Sequence, residues 1–179
     1  TRKESSAASD VYKRQENYKS PELIMIKVLI KKLSHKAQIP IYKTEGSSGM
    51  DLMALTEDKI VIKPNKSALV PTGLSVAIPN DTEIQIRPRS GLAAKSSISV
   101  LNTPGTIDSD YRGELKVILF NHGDKEFIIN HGDRIAQMVL VPILKVQFEE
   151  VQDLPETIRG SGGFGLSLIH ISEPTRPLY

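Results

Sequence analysis

The sequence predicts an all-β domain, a sandwich, jelly roll or barrel, with one short helix. Two observations carry this. Apolar and β-branched residues recur at every second position in short runs, and Gly, Pro, Asn and Asp punctuate those runs at close intervals. Lys59–Lys63 (KIVIK) is the first clear run, closed by Pro64-Asn65. Leu74, Val76 and Ile78 alternate with small or polar residues between Pro71-Thr72-Gly73 and Pro79-Asn80-Asp81. Ile84 and Ile86 alternate in the same way. Ser90–Lys95 (SGLAAK) then predicts a helix of a turn or two, because Ser90 is a good N-cap followed by helix formers. After Thr103-Pro104-Gly105, strands are expected at Leu115–Phe120, Phe127–Ile129, Ile135–Val141 and Val146–Val151. Asn121-His122-Gly123-Asp124 recurs as Asn130-His131-Gly132-Asp133, two stretches of turn chemistry expected to bracket one short strand. Pro40, Pro71 and Pro142 lie in or beside apolar stretches, which suits edges and bends.

A chain of 179 residues suits one domain with tails. Its 23 Lys+Arg against 21 Asp+Glu leave a net charge of +2, which argues against a protein that grips nucleic acid by its phosphates. A local basic pocket for a small anion remains compatible. Without cysteine there are no disulfides, thiolate zinc sites or cysteine nucleophiles. No apolar run approaches the roughly 18 residues of a membrane-spanning helix, and the first 20 residues are polar, unlike a secretory signal. A cytoplasmic protein without membrane partners is expected. Residues 1–24 and 166–179 lack periodicity and are expected to be a non-native or disordered leader and a non-native tail, with Met25 opening the native part. The working domain is expected over 25–158, followed by a glycine-rich arm over 159–165.

Several segments carry more chemistry than a scaffold needs. In Arg87-Pro88-Arg89-Ser90-Gly91-Leu92, an arginine, a hydroxyl and a glycine meet at a helix start, where free N–H groups and the helix dipole favour anions. Arg89 adds a planar fork suited to phosphate oxygens, although a capped helix with solvated arginines would read the same. Gly105–Glu114 (GTIDSDYRGE) places Asp108 and Asp110 two apart. A calcium loop is excluded, since its fifth position would be Arg112 and its twelfth Leu119 where a bidentate Glu is needed. A β-hairpin carrying one inward acid fits better, and an acid at a phosphate site can take a proton from water. The plain alternative is a polar hairpin with solvated acids. Arg159–Gly165 (RGSGGFG) contains GxGGxG, but it lacks the Lys-Ser/Thr of a P-loop and no helix pattern follows. It reads either as a linker or as an arm that lays N–H groups on an anion, with Phe164 able to stack on a base. Ser48–Ala54 (SGMDLMA) and Gly132–Gln137 (GDRIAQ) each read as a turn entering a strand.

In this order, SGMDLMA, RPRSGLA, GTIDSDYRGE, GDRIAQ and RGSGGFG resemble the five motifs of the trimeric deoxyuridine triphosphate nucleotidohydrolases (dUTPases). The resemblance spans nearly all of residues 25–165. It implies a distorted jelly-roll or β-clip barrel assembled as a homotrimer with three shared active sites, hydrolysing dUTP to dUMP and pyrophosphate with Mg²⁺. It implies that Asp108 activates the attacking water. Asn102, Gly105, Thr106 and Ile107 would lie along the hairpin that receives uracil, and Tyr111 would pack under the deoxyribose and exclude a 2′-hydroxyl. Arg89, Ser90 and Gly91 would hold the phosphates with help from Gln137, Asp51 would orient water around the metal without direct ligation, and Lys116 would be a further substrate contact. Arg159, Phe164 and Gly165 would belong to an arm closing over a neighbouring subunit's site.

This chain departs from the family pattern after Gly165, where Leu166 stands in place of the usual Ser or Thr for the terminal phosphate. Weakened arm closure is expected. Two rival readings use the same fold: a dCTP deaminase or bifunctional deaminase–hydrolase, and a non-catalytic regulatory or interaction protein. The first class lacks the RGSGGFG arm and needs a different acid beside the base. Asp108, Tyr111 and Arg159 together argue against the second.

Overall fold

Ile84 and Ile86 point into the core while Glu83, Gln85 and Arg87 stay half-exposed, the alternation that builds a strand over Thr82–Arg87. The computed structural model describes residues 25–162, and this strand is β6 of eleven among them. The others are β1 (Leu29–Lys32), β2 (Met50–Met53), β3 (Ile60–Ile62), β4 (Ser67–Pro71), β5 (Leu74–Ala77), β7 (Ile98–Val100), β8 (Gly105–Ile107), β9 (Lys116–Asn121), β10 (Phe127–Ile129) and β11 (Arg134–Pro142). One helix, α1 (Ser90–Ser96), lies between β6 and β7. The all-β expectation holds, and so does the single short helix.

The strands do not close into one continuous hydrogen-bonded barrel. They form a four-stranded sheet in the order β2-β11-β6-β8, a three-stranded sheet β4-β9-β7, and the pairs β1-β5 and β3-β10. Every pairing is antiparallel. Leu52, Ile62, Val70, Leu74, Ile84, Ile98, Leu115, Leu119, Ile129 and Ile135 are fully buried between the sheets. Each such side chain contributes roughly 1.5–3 kcal/mol of transfer free energy.

Buried polar groups are few, and each is bonded. Thr72 Oγ1 donates to Leu115 O (2.6 Å) and Ser75 Oγ to Arg112 O (2.7 Å), which ties the loop before β9 to the β4–β5 turn. Asn121 is the most connected. Its Nδ2 donates to Ile62 O (2.9 Å) and Lys125 O (2.7 Å), and its Oδ1 accepts the Gly123 N–H (2.9 Å). Removing this amide strands three backbone groups, at about 1–3 kcal/mol for a buried one. Asn121→Ala should therefore lower unfolding free energy by about 2–4 kcal/mol in urea titration. A loss below about 0.5 kcal/mol would mean that water replaces all three bonds.

Three local expectations are corrected. Gly105–Glu114 is not a hairpin: β8 pairs with β6 and β9 with β4 and β7, so the segment crosses from one sheet to another. Ser90 is not the N-cap. Arg89 takes that position with extended backbone (φ −91°, ψ 124°) and no side-chain cap, and its carbonyl accepts the N–H groups of Leu92 and Ala93 (both 3.0 Å). Val146–Val151 is not a strand, since alternation becomes a strand only where another edge takes the backbone groups. Val146 and Phe148 are 72% and 91% exposed.

The chain divides into one compact unit through Leu144 and a smaller one from Lys145. In the smaller unit, Thr157 and Arg159 carbonyls accept the N–H groups of Gly160 and Gly162 (3.0 Å each), two successive tight turns. Gly160 takes φ +50°, a conformation that glycine adopts without strain.

Candidate active site

Two clefts of the larger unit gather several of the residues singled out by sequence. The first, about 470 Å³, is lined by Gln85, Arg87, Pro88, Ser90, Thr103, Pro104 and Gln137. It sits where β6 ends and α1 begins, beside the centre of the four-stranded sheet. Gln137 of β11 lies opposite Arg87 on one side and Asp51 of β2 on the other. Its Nε2 donates to Pro88 O (3.0 Å), so the strand partner fixes the entry into the helix. Gly49 lets Gln137 lie close: a Cβ there would come within 3.0 Å of its Oε1 and 3.2 Å of Met138 O.

Asp51 organises the charges at this end. Its side chain is only 14% exposed, and its two oxygens accept Arg89 Nε (2.8 Å) and Arg134 Nη1 (3.3 Å). Arg89 therefore does not line the first cleft but is held at its edge by the β2 carboxylate. The neighbouring Arg87 is held by Gln85, whose Oε1 accepts its Nε (3.0 Å) and Nη2 (2.6 Å). Gln85 in turn donates to Glu83 Oε1 (2.6 Å). This outward ladder of β6 presents a braced guanidinium beside the Ser90 hydroxyl, an arrangement suited to phosphate oxygens.

The second cleft, about 290 Å³, is lined by Leu69, Thr106, Ile107, Asp108, Tyr111, Glu114 and Lys116. Asp108 opens a turn closed by Tyr111 N–H to Asp108 O (3.2 Å), which carries Asp110 onward rather than leaving the two acids side by side on a strand. Tyr111 is 44% exposed, and its hydroxyl donates to Glu114 O (3.0 Å). Glu114 accepts the Gly73 N–H (2.8 Å) and pairs with Lys116 (3.5 Å). The cleft thus offers one exposed carboxylate, an aromatic ring and an apolar floor.

The structure brings together Ser90 with Gln137, and Thr106, Ile107, Asp108, Tyr111 and Lys116. It places Arg89 and Asp51 at the rim of the first cleft as an ion pair. Asn102 lies in the turn before β8, within 3.3 Å of where a Gly105 Cβ would sit, and lines neither cleft. Gly91 has open space around it and Gly105 is buried against Ile86. Arg159, in the smaller unit, donates to Gly162 O (2.9 Å). Phe164, Gly165 and the Leu166 departure lie outside the described residues. Sequence reasoning did not single out Gln85 or Glu114. The strict alternation of β6 places Gln85 on the outward face with Arg87, and that signal could have found it.

The dUTPase family model matches residues 35–168. The deoxyuridine 5′-triphosphate nucleotidohydrolase of Clostridium tetani is 57% identical over 136 residues, covering 76% of this chain and 92% of that protein. The protein of the same name from a Hydrogenobaculum species is 55% identical over 140 residues, covering 78% and 96%. Among solved structures, a mutant dUTPase of Staphylococcus bacteriophage 80alpha with dUpNHpp superposes with a TM-score of 0.71 at 25% identity, covering 79% of this chain and 98% of that one. The fold is that of the jelly-roll nucleotidohydrolases. The chain belongs to the dUTPase family.

Proposed function

We propose that this protein hydrolyses dUTP to dUMP and pyrophosphate, as a homotrimer whose active sites are shared between subunits. One observation carries the reading: a cleft with an aromatic ring and a single exposed carboxylate is separate, on the same chain, from a cleft with an arginine, a hydroxyl and an amide. The first set suits a nucleoside beside an attacking water, and the second suits a polyphosphate. A trimer lets the nucleoside cleft of one copy face the phosphate cleft of another. Relatives named for this reaction, and the phage enzyme with dUpNHpp, support the substrate.

In this reading Asp108 accepts a proton from water as the water oxygen bonds to the α-phosphorus. The bond from that phosphorus to the bridging oxygen of the leaving pyrophosphate breaks in line. Thr106 and Ile107 offer backbone groups of β8 to the uracil edge, and a base with the opposite donor–acceptor pattern leaves them unpaired. Tyr111 packs under the sugar. Arg87, Arg89 and Ser90 align the phosphates, and Gln137 fixes the strand–helix junction that carries them. Asp51 holds Arg89 at its rim.

The donors present fit a Mg²⁺ carried by the triphosphate, since Asp51 retains lone pairs for a metal-bound water beyond its two arginines. When bound, the ion neutralises phosphate charge. By the family resemblance, Arg159, Phe164 and Gly165 would belong to an arm that completes the site from another copy. The reaction keeps dUTP low and supplies dUMP for thymidylate synthesis.

Pyrophosphate release with Mg²⁺ from dUTP, beside dCTP, dTTP and UTP, tests the assignment. Release from dUTP alone is expected. Deamination of dCTP, or no turnover of any nucleotide, would replace it with one of the two rivals on the same fold.

A further inference from the structure

We infer that Gly113 is a specificity-determining residue, because its missing side chain is the seat of the Tyr111 ring. The inference rests on reading the second cleft as the nucleoside cleft. A Cβ on Gly113 would overlap the Tyr111 hydroxyl and lie 2.5 Å from Cζ and 3.0 Å from Cε2. The three nearest atoms that such a side chain would meet all belong to this one ring, so the ring tip rests directly on the glycine. The Gly113 backbone lies outside the left-handed region, and alanine suits it conformationally.

One of the two partners must move, and the main chain is the less able to do so. Arg112 Nη1 donates to Ser109 O (2.7 Å) and Tyr111 O (2.8 Å), bracing the turn from within. Ser75 Oγ holds Arg112 O (2.7 Å), Leu74 O accepts the Leu115 N–H (2.7 Å), and Glu114 holds the Gly73 N–H (2.8 Å). Four hydrogen bonds thus hold backbone atoms on the two sides of Gly113, and a fifth holds the Glu114 side chain. The ring has one, from its hydroxyl to Glu114 O, and is 44% exposed. A methyl at position 113 therefore lifts the ring into the cleft and breaks that bond, while the fold stays intact. The height of the ring sets the space left for the sugar, so position 113 tunes selection between deoxyribose and ribose.

The test compares kcat/KM for dUTP and UTP in the full chain, in Gly113→Ala, in Tyr111→Ala and in the double variant. Gly113→Ala should change the dUTP-to-UTP ratio by about tenfold. In the Tyr111→Ala background the same substitution should change it by less than about twofold, since its effect passes through the ring. An unchanged ratio in Gly113→Ala, or an effect that persists without the ring, overturns the proposal. Tyrosine-labelled NMR reads the seat without turnover. Displaced Tyr111 ring resonances in Gly113→Ala support it and unmoved ones refute it, whereas a wild-type chain inert toward dUTP would sink only the functional reading of the cleft.

Discussion

On the proposed mechanism, Asp108→Asn should lower the rate of dUTP hydrolysis about 10²–10⁴-fold, the usual contribution of a positioned general base. The side chain is exposed at the edge of the second cleft, and among the described residues its carboxylate has no hydrogen-bond or ion-pair partner. The turn that carries it is held by backbone atoms, through Asp108 O and the Tyr111 N–H, which asparagine keeps. The amide is nearly the same size but accepts no proton from water at neutral pH. Loss should therefore fall on kcat, with binding of dUpNHpp and the melting temperature close to wild type. Calorimetric titration beside steady-state assays separates the two. An Asn variant that turns over dUTP at more than about a tenth of the wild-type rate would move the base elsewhere. Equal loss of binding and turnover would instead make Asp108 a substrate ligand.

On the proposed shared sites, two inactive variants should recover activity when mixed. Arg89→Ala removes the cation that Asp51 holds at the rim of the first cleft, and Asp108→Asn removes the proposed base at the second. If one copy supplies the phosphate cleft and another the base, refolding the two variants together in equal amounts leaves about a quarter of the sites with both groups intact. Activity should then rise from near nothing to about a quarter of wild type. If each chain held a complete site of its own, every site in the mixture would keep one lesion, and the rate would stay at the average of the parents. The experiment reads subunit sharing directly, whatever the details of packing between copies.

How much of this was legible beforehand follows from which interactions are local. The alternation of Ile84 with Ile86 and of Leu74 with Val76 marks strands because side-chain direction repeats every two residues along an extended chain. The paired Asn-His-Gly-Asp stretches mark turns around β10 because Asn and Asp side chains bond their own backbone, as in Asn121 Oδ1 to the Gly123 N–H and Asp133 Oδ2 to the Asn130 N–H (2.8 Å). β1 was missed: it has four residues, mostly exposed, and exists because β5 offers an edge. The same reasoning ran the wrong way at Val146–Val151, where alternation was present without a paired edge. Ser90 looked like a cap on residue type alone, yet Arg89, drawn to Asp51 across 38 positions of chain, takes the place before the helix.

By itself, then, the sequence determined the strand-rich class and the turns around β10, because residue type and short spacing carry that information. Only the tertiary structure decided that Asp51 grips Arg89, that Gln137 reaches the Pro88 carbonyl, and that Tyr111 rests on Gly113. It also decided that Asp108 and the Arg87–Ser90 pair line different clefts of one chain. The first two contacts join β2 and β11 to the β6–α1 junction, far apart in sequence. The third depends on a loop pinned from Leu74 and Ser75, and the last on β8 and β9 parting into different sheets, none of which residue type or spacing encodes.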